Sequence, residues 1–264
     1  MVLQNMTTGS IIKMQKSYGP PDRSYIFIDN EVENERTAPI DGHIPFVTYY
    51  ERFLAAVKKR GWRYSRLSNG AIITQTGSGP RVAILAGLHG DEVSCPLSLL
   101  SWVESSEVID PAGELWICPL VNDIGWDNYT RGMESLNLNR VFGDAIAPTF
   151  VKQICSSWSK NWPIAFFDWH EDYTDLAPYV FRFAGDWGNL MQQLALDFDM
   201  DVINFSAFSD DRGCSDYFLR KNGCVQCGTI ELPPTWSLER RINKWKGIAN
   251  WIVDHAYLHL PEGL

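Results

Sequence analysis

Apolar residues in the first clearly patterned stretch, Pro45 to Arg60, fall at Phe46, Tyr50, Phe53, Leu54 and Val57. That i, i+4, i+7, i+11 spacing lines one face of a helix, and Gly61 ends it. The pattern then shortens to that of strands. Trp62 to Leu67 and Ala71 to Thr74 are joined across Asn69-Gly70, a pair that favours a type I′ hairpin turn. After the turn signal Gly77-Ser78-Gly79-Pro80, Arg81 to Ala86 is an unbroken apolar run, the signature of a strand covered on both faces. A helix is predicted over Ser94 to Glu104, with Ser94 as N-cap and Pro96 tolerated in the first turn. Strands follow at Leu115 to Val121, Ile164 to Trp169 and Val225 to Leu232, and helices at Pro148 to Trp158 and Trp187 to Leu196. A long last helix, Ser237 to Ala256, carries Leu238, Ile242, Trp245, Ile248 and Ile252 on one face. Strands alternating with helices predict a mainly parallel or mixed sheet covered on both sides.

Residues 1–44 show no such period and are expected to form an irregular N-terminal segment wrapping the body. With no internal repeat, low-complexity tract or linker signal, the whole of 1–264 reads as a single domain. A composition that is 45% hydrophobic supplies a large core and argues against disorder. The formal net charge of −9 and the lack of a Lys/Arg-rich run speak against a nucleic-acid or anionic-membrane partner. The N-terminus lacks a secretory pattern, no apolar stretch is long enough to span a bilayer, and the 6 cysteines form no disulfide-like framework. A cytoplasmic protein is expected, with homo-oligomerisation left open.

Four pieces of the chain carry chemistry. Gly87-Leu88-His89-Gly90-Asp91-Glu92 leaves the buried strand and enters a helix, where open α/β sheets collect ligands. His89 and Glu92 are metal-competent, and their spacing lets both turn to one point. Phe166-Phe167-Asp168-Trp169-His170 is a second buried-strand pattern ending in a histidine. Two His and one Glu with an open fourth position is the ligand set of a catalytic zinc site, and Asp168 could fix a ligand histidine's tautomer. Thr229-Ile230-Glu231-Leu232-Pro233 places a carboxylate late in an apolar strand, costly unless it has a partner or a task; beside a metal-activated water it can act as base and then acid. Asn122 ends a strand, and Arg131, Asn139 and Arg140 follow in a loop; a fixed Arg suits a developing oxyanion, and a second Arg with an Asn suits a substrate carboxylate.

In this order the motifs resemble those of the zinc carboxypeptidase superfamily, especially its succinylglutamate desuccinylase/aspartoacylase-like branch. The matching blocks are Gly87 to Glu92, Thr130-Arg131, Asn137-Leu138-Asn139-Arg140-Val141-Phe142, Asp168-Trp169-His170 and Glu231. The resemblance implies a three-layer α/β/α sandwich around a mixed, mostly eight-stranded sheet. It implies one Zn2+ held by His89, Glu92 and His170, with Glu231 as general base and acid. Arg131 would polarise the scissile carbonyl, Asn139 and Arg140 would hold the substrate's carboxylate, and Tyr217 is the candidate for a covering tyrosine. Asn137 stands where the family carries an acid. Glu171 and Asp172 follow the third ligand, and as carboxylates close to the pocket they favour a peptide substrate over an acidic N-acyl amino acid.

Other signals carry less. Cys224-x-x-Cys227 lacks the second pair a structural zinc site needs, and it leads into a strand where a redox pair would open a helix, so packing is expected. His255 and His259 lack the glutamate of a His-Glu-x-x-His motif. The sequence therefore predicts a zinc-dependent hydrolase of a peptide or amide bond next to a free carboxylate. An N-acyl amino acid deacylase and a non-catalytic metal-binding relative are the alternatives.

Overall fold

The computed structural model describes residues 42–105, 111–183, 189–205 and 213–257. The N-terminal segment expected over 1–44 lies almost wholly outside these residues, as does His259. Eight strands form one mixed sheet: β1 (Arg63–Arg66), β2 (Ile72–Thr76), β3 (Arg81–Ala86), β4 (Glu114–Cys118), β5 (Ala165–Glu171), β6 (Tyr179–Phe183), β7 (Asp201–Phe205) and β8 (Gln226–Leu232). Their order is β1-β2-β4-β3-β5-β8-β6-β7. The central run β4-β3-β5-β8 is parallel, β6 and β7 pair parallel, and the β1/β2, β2/β4 and β6/β8 pairs are antiparallel.

The helices are α1 (Phe46–Lys59), α2 (Ser94–Glu104), α3 (Asp123–Asn128), α4 (Thr149–Ser159), α5 (Asn189–Asp197), α6 (Ser215–Lys221) and α7 (Leu238–His255). Strand alternation on β5 sorts them into layers. The even-numbered side chains meet α4 and α6: the Phe166 ring lies 5.4 Å from Trp158, and Asp168 accepts from Ser215. The odd-numbered ones meet α2 and α7: Trp169 stacks on Trp245 at 4.5 Å, and Glu171 meets Ser94 and Arg241. The result is the α/β/α sandwich with a mixed eight-stranded sheet. Every residue of β3 is buried, as its unbroken apolar run predicts.

Three local expectations are corrected. The hairpin turn is not type I′, because only Gly70 has positive φ; Leu67 O accepts from Gly70 N and Leu67 N donates to Ala71 O, closing a longer loop. Ser94 is not an N-cap: α2 starts at it, and its hydroxyl donates to the Glu171 carboxylate. Asn122 caps α3, its Oδ1 accepting from Gly125 N at 2.8 Å. No helix among the described residues is long and apolar enough to cross a membrane.

β3 is the topological switch: the chain leaves it for β4 on one side and later enters β5 on the other. The crevice beyond its C-terminal end opens between these two crossovers. Gly87, with φ of +66°, turns the chain sharply into that crevice, where an added Cβ would lie 2.9 Å from the Leu120 backbone.

Candidate metal centre and surrounding cavity

The first turn beyond β3 carries His89 and Glu92, and the C-terminal end of the neighbouring parallel strand carries His170. All three are buried, and one ligand atom from each can be chosen so that the set lies within 4.8 Å of one another. His89 Nδ1 stands 2.6 Å from Glu92 Oε1, His170 Nδ1 stands 2.8 Å from Glu92 Oε2, and the two Nδ1 atoms are 3.1 Å apart. A carboxylate and two ring nitrogens thus converge on one point. The outer nitrogens face away: His170 Nε2 lies 3.0 Å from Asp168 Oδ2, and His89 Nε2 lies 3.1 Å from Asn137 Oδ1. An acceptor behind each Nε2 makes it the protonated nitrogen and turns the Nδ1 lone pair inward, the arrangement a cation requires. The residues present fit a divalent metal of the zinc class.

The electrostatics agree with a cation seat. Burial, reinforced by the Arg131 charge, lowers His89 to about 4, so this ring is neutral near pH 7. Burial opposes ionisation of Glu92, yet the His89 and His170 rings against it hold it below the usual carboxylate range. Burial also opposes charge on His170, but Asp168 and Glu92 outweigh it and raise that ring well above an ordinary histidine. The negative potential that would hold a proton on His170 is the one that would hold a metal ion.

Register places the fourth carboxylate. His170 and Glu231 are Cα partners on adjacent parallel strands, so both side chains emerge on the same face at the same level. β8 is interior, between β5 and β6, so Glu231 does not sit on a solvent-facing sheet edge. Its Oε2 is enclosed and has no hydrogen-bond partner among the described residues. Burial raises Glu231 well above the usual carboxylate range, His170 and Arg131 pull it down, and Glu92 and Asp172 push it up.

His89, His170, Glu231, Arg131, Asn139 and Arg140 line one cavity, together with Phe181, Cys214, Asp216 and Thr229. Arg131 is 40% exposed along its side chain and donates from Nη1 to Glu92 Oε1 at 3.0 Å. Asn139 accepts from Ser215 N at 3.0 Å and places Nδ2 3.4 Å from His170 Nε2. Arg140 Nη1 donates to Asn139 O at 2.7 Å and to Cys214 Sγ at 3.0 Å.

Two expectations fail here. Tyr217 does not line this cavity; α6 turns Ser215 and Asp216 toward the strands and leaves Tyr217 in a separate cleft with Phe142, Gly143 and Phe218. Glu171 does not face the pocket either. One residue beyond His170, it points to the opposite face of the sheet, buried against Arg241 and Ser94. Asp172 accepts from Thr174 and from Tyr179 OH, and it is not among the lining residues. Besides Glu231, the acid that lines the cavity is Asp216, whose Oδ2 accepts from Thr229 Oγ1 at 3.1 Å. Sequence reasoning missed it, and missed Ser215, because their seven-residue helix carries too little period to be read. Cys224 and Cys227 are buried and free, as packing residues would be. His255 stacks on Trp251.

Comparison with known proteins agrees with this geometry. The model of the succinylglutamate desuccinylase/aspartoacylase catalytic domain matches residues 78–150, the stretch that holds His89, Glu92, Arg131, Asn139 and Arg140. No curated protein matches the sequence. Among solved structures, a metallo-carboxypeptidase from Burkholderia cenocepacia superposes with a TM-score of 0.66 at 16% identity, over 83% of this chain and 70% of that one. A metallo-carboxypeptidase from Pseudomonas aeruginosa, in complex with (2-guanidinoethylmercapto)succinic acid, gives 0.67 at 13% identity, over 81% and 70%. The murein-tripeptide amidase MpaA from Escherichia coli O157 gives 0.58 at 17% identity, over 76% and 93%. At these identities the structures establish the fold.

Proposed function

We propose, from the match to the succinylglutamate desuccinylase/aspartoacylase catalytic domain over residues 78–150 and the carboxypeptidase-like fold, that the chain is a zinc-dependent hydrolase that cleaves a peptide or amide bond next to a free carboxylate. The observation that carries the reading is the convergence of His89 Nδ1, His170 Nδ1 and the Glu92 carboxylate beside the enclosed Oε2 of Glu231. A zinc ion held by those three residues would supply Lewis acidity, bringing water's pKa from 15.7 toward about 7.

The chain's own groups supply the rest. Glu231 takes the proton of the attacking water and delivers it to the leaving nitrogen, which converts a poor leaving group into an amine. Arg131, at the exposed side of the site, polarises the scissile carbonyl and neutralises the oxyanion that develops on it. Arg140 and Asn139 anchor the substrate's carboxylate, and this fixes which bond reaches Glu231. The free space inside the cavity is about 50 Å³, room for an ion and a few waters. The remainder of a substrate therefore extends outward past Arg131.

Within this reaction class a peptide remains the first choice and an N-acyl amino acid the second. Glu171 no longer argues for that order, but Asp216 does, because a carboxylate in the cavity wall disfavours an acidic acyl group. The test is Glu231→Gln, assayed against short peptides and N-acyl amino acids with added zinc. The variant is expected to keep one zinc per chain by elemental analysis and to lose turnover by at least about 100-fold. Full activity in the variant would refute the mechanism, and wild-type protein that takes up no zinc would refute the metal reading.

A further inference from the structure

The two ligand histidines are backed by different chemistry. Behind His170 stands a carboxylate, Asp168, with its Oδ2 3.0 Å from Nε2. Behind His89 stands the side-chain amide of Asn137, buried at 7% exposure, with its Oδ1 3.1 Å from Nε2. Which end of that amide faces the ring is decided by a backbone group. The same Oδ1 accepts from Asn139 N at 2.9 Å, and a backbone N–H can only donate. Turning the amide over would set two donors against each other. The oxygen therefore faces both groups, His89 Nε2 must carry the proton, and the His89 Nδ1 lone pair is left pointing at Glu92 and His170.

We infer that Asn137 is a positioning residue that fixes His89 as an Nδ1 metal ligand through a neutral acceptor, making this the weaker-held arm of an asymmetric metal site. The inference rests on the zinc reading above and goes beyond it. A carboxylate behind a ligand histidine raises the basicity of the metal-facing nitrogen, whereas an amide oxygen orients the ring and adds little negative charge. With Glu92 as the single anionic ligand, the amide at Asn137 keeps the local charge one unit less negative than a carboxylate there would. His89 is thus the arm from which metal is most readily lost, and Asn137 sets how tightly the ion is held.

The test compares wild-type protein with Asn137→Asp and Asn137→Leu, each stripped of metal and titrated with zinc against a chromophoric chelator. Asn137→Asp keeps the acceptor and adds charge, and it should tighten zinc binding by about tenfold. Asn137→Leu removes the acceptor and should weaken binding by about 10- to 100-fold, with a faster zinc off-rate. Cobalt-loaded Asn137→Leu should show an altered d–d absorption band, and Asn137→Asp should restore the band. A purely structural role would move the thermal midpoint of both variants without ordering their affinities this way. The inference is overturned if Asn137→Asp binds zinc no tighter than wild type, a result that does not depend on Asn137→Leu folding. Wild-type protein that binds no zinc would overturn the metal reading and this inference with it, whereas tight wild-type binding with an indifferent Asp variant overturns this inference alone.

Discussion

Replacing Arg241 with methionine would strand a carboxylate inside the protein. Glu171 is 1% exposed and Arg241 5%, and Arg241 Nη1 and Ser94 Oγ both donate to Glu171 Oε1. The second oxygen, Oε2, has no hydrogen-bond partner among the described residues. Burial has already raised Glu171 from 4.5 to about 7, against the pull of Arg241 and Ser94. Removing one member of a buried ion pair typically costs about 3–5 kcal/mol. Proton uptake by Glu171 relieves part of that cost, which puts the expected loss near pH 7 at the lower end, about 3 kcal/mol. For a chain of this size that is roughly a 6–12 °C fall in Tm. The sign of the pH dependence follows from the raised folded-state value. The folded protein holds this proton more tightly than the unfolded chain, so the group's contribution is complete below about 4.5 and is lost as pH rises through about 7. Without Arg241 the folded-state value rises further, so the penalty should be larger at pH 8 than at pH 6. Urea denaturation of the parent, Arg241→Met and Arg241→Met/Glu171→Gln at both pH values checks this, and the double variant should recover most of the loss. A single variant within about 1 kcal/mol of the parent, a usual surface-pair value, would refute the buried-pair reasoning.

Gly90 lies inside the ligand loop, where an added Cβ would stand 1.9 Å from the Gly125 carbonyl carbon and 2.2 Å from Trp126 N. Backbone would have to move, so Gly90→Ala should lose about 3 kcal/mol and most of its zinc, read by denaturation midpoint and metal content; wild-type values for both would contradict the packing. Tyr217→Phe should leave kcat within about twofold (roughly 0.4 kcal/mol) of wild type, because α6 holds that side chain in the neighbouring cleft; a large fall in kcat would return the tyrosine to the site.

The fold was legible where one element carried enough period to declare itself. β3 and α2 begin and end where the apolar run and the helical spacing say, and α1, α4 and α7 agree to within a residue or two. β6 and β7 were not read as strands: each is five residues, without the Asn69-Gly70 turn that marks β1 and β2 or the longer apolar run, Leu115 to Val121, that marks β4. α3 and α6, at six and seven residues, are likewise fewer than two full turns. The count of eight strands came from the resemblance, since the periodicity supports only six.

For the site, a strand end can be read from a linear sequence, but a strand's neighbour cannot. His170 and Glu231 each announce themselves as a polar group closing an apolar strand, yet only the β5/β8 pairing makes them partners in register. The same alternation explains why Glu171 misled. Adjacent in sequence to a ligand, it is turned to the other face of the sheet, where Arg241, seventy residues later in the chain, comes to meet it. Asn137 is marked in the sequence only by the resemblance, which has an acid there, because a neutral amide in a loop has no charge or period of its own to mark it. Its role comes into view only when Asn139 N and His89 Nε2 are seen to share its single oxygen. Asp168, two residues before its histidine, could be read as such a support, whereas Asn137, forty-eight residues from His89, depends on what the fold brings within about 3 Å.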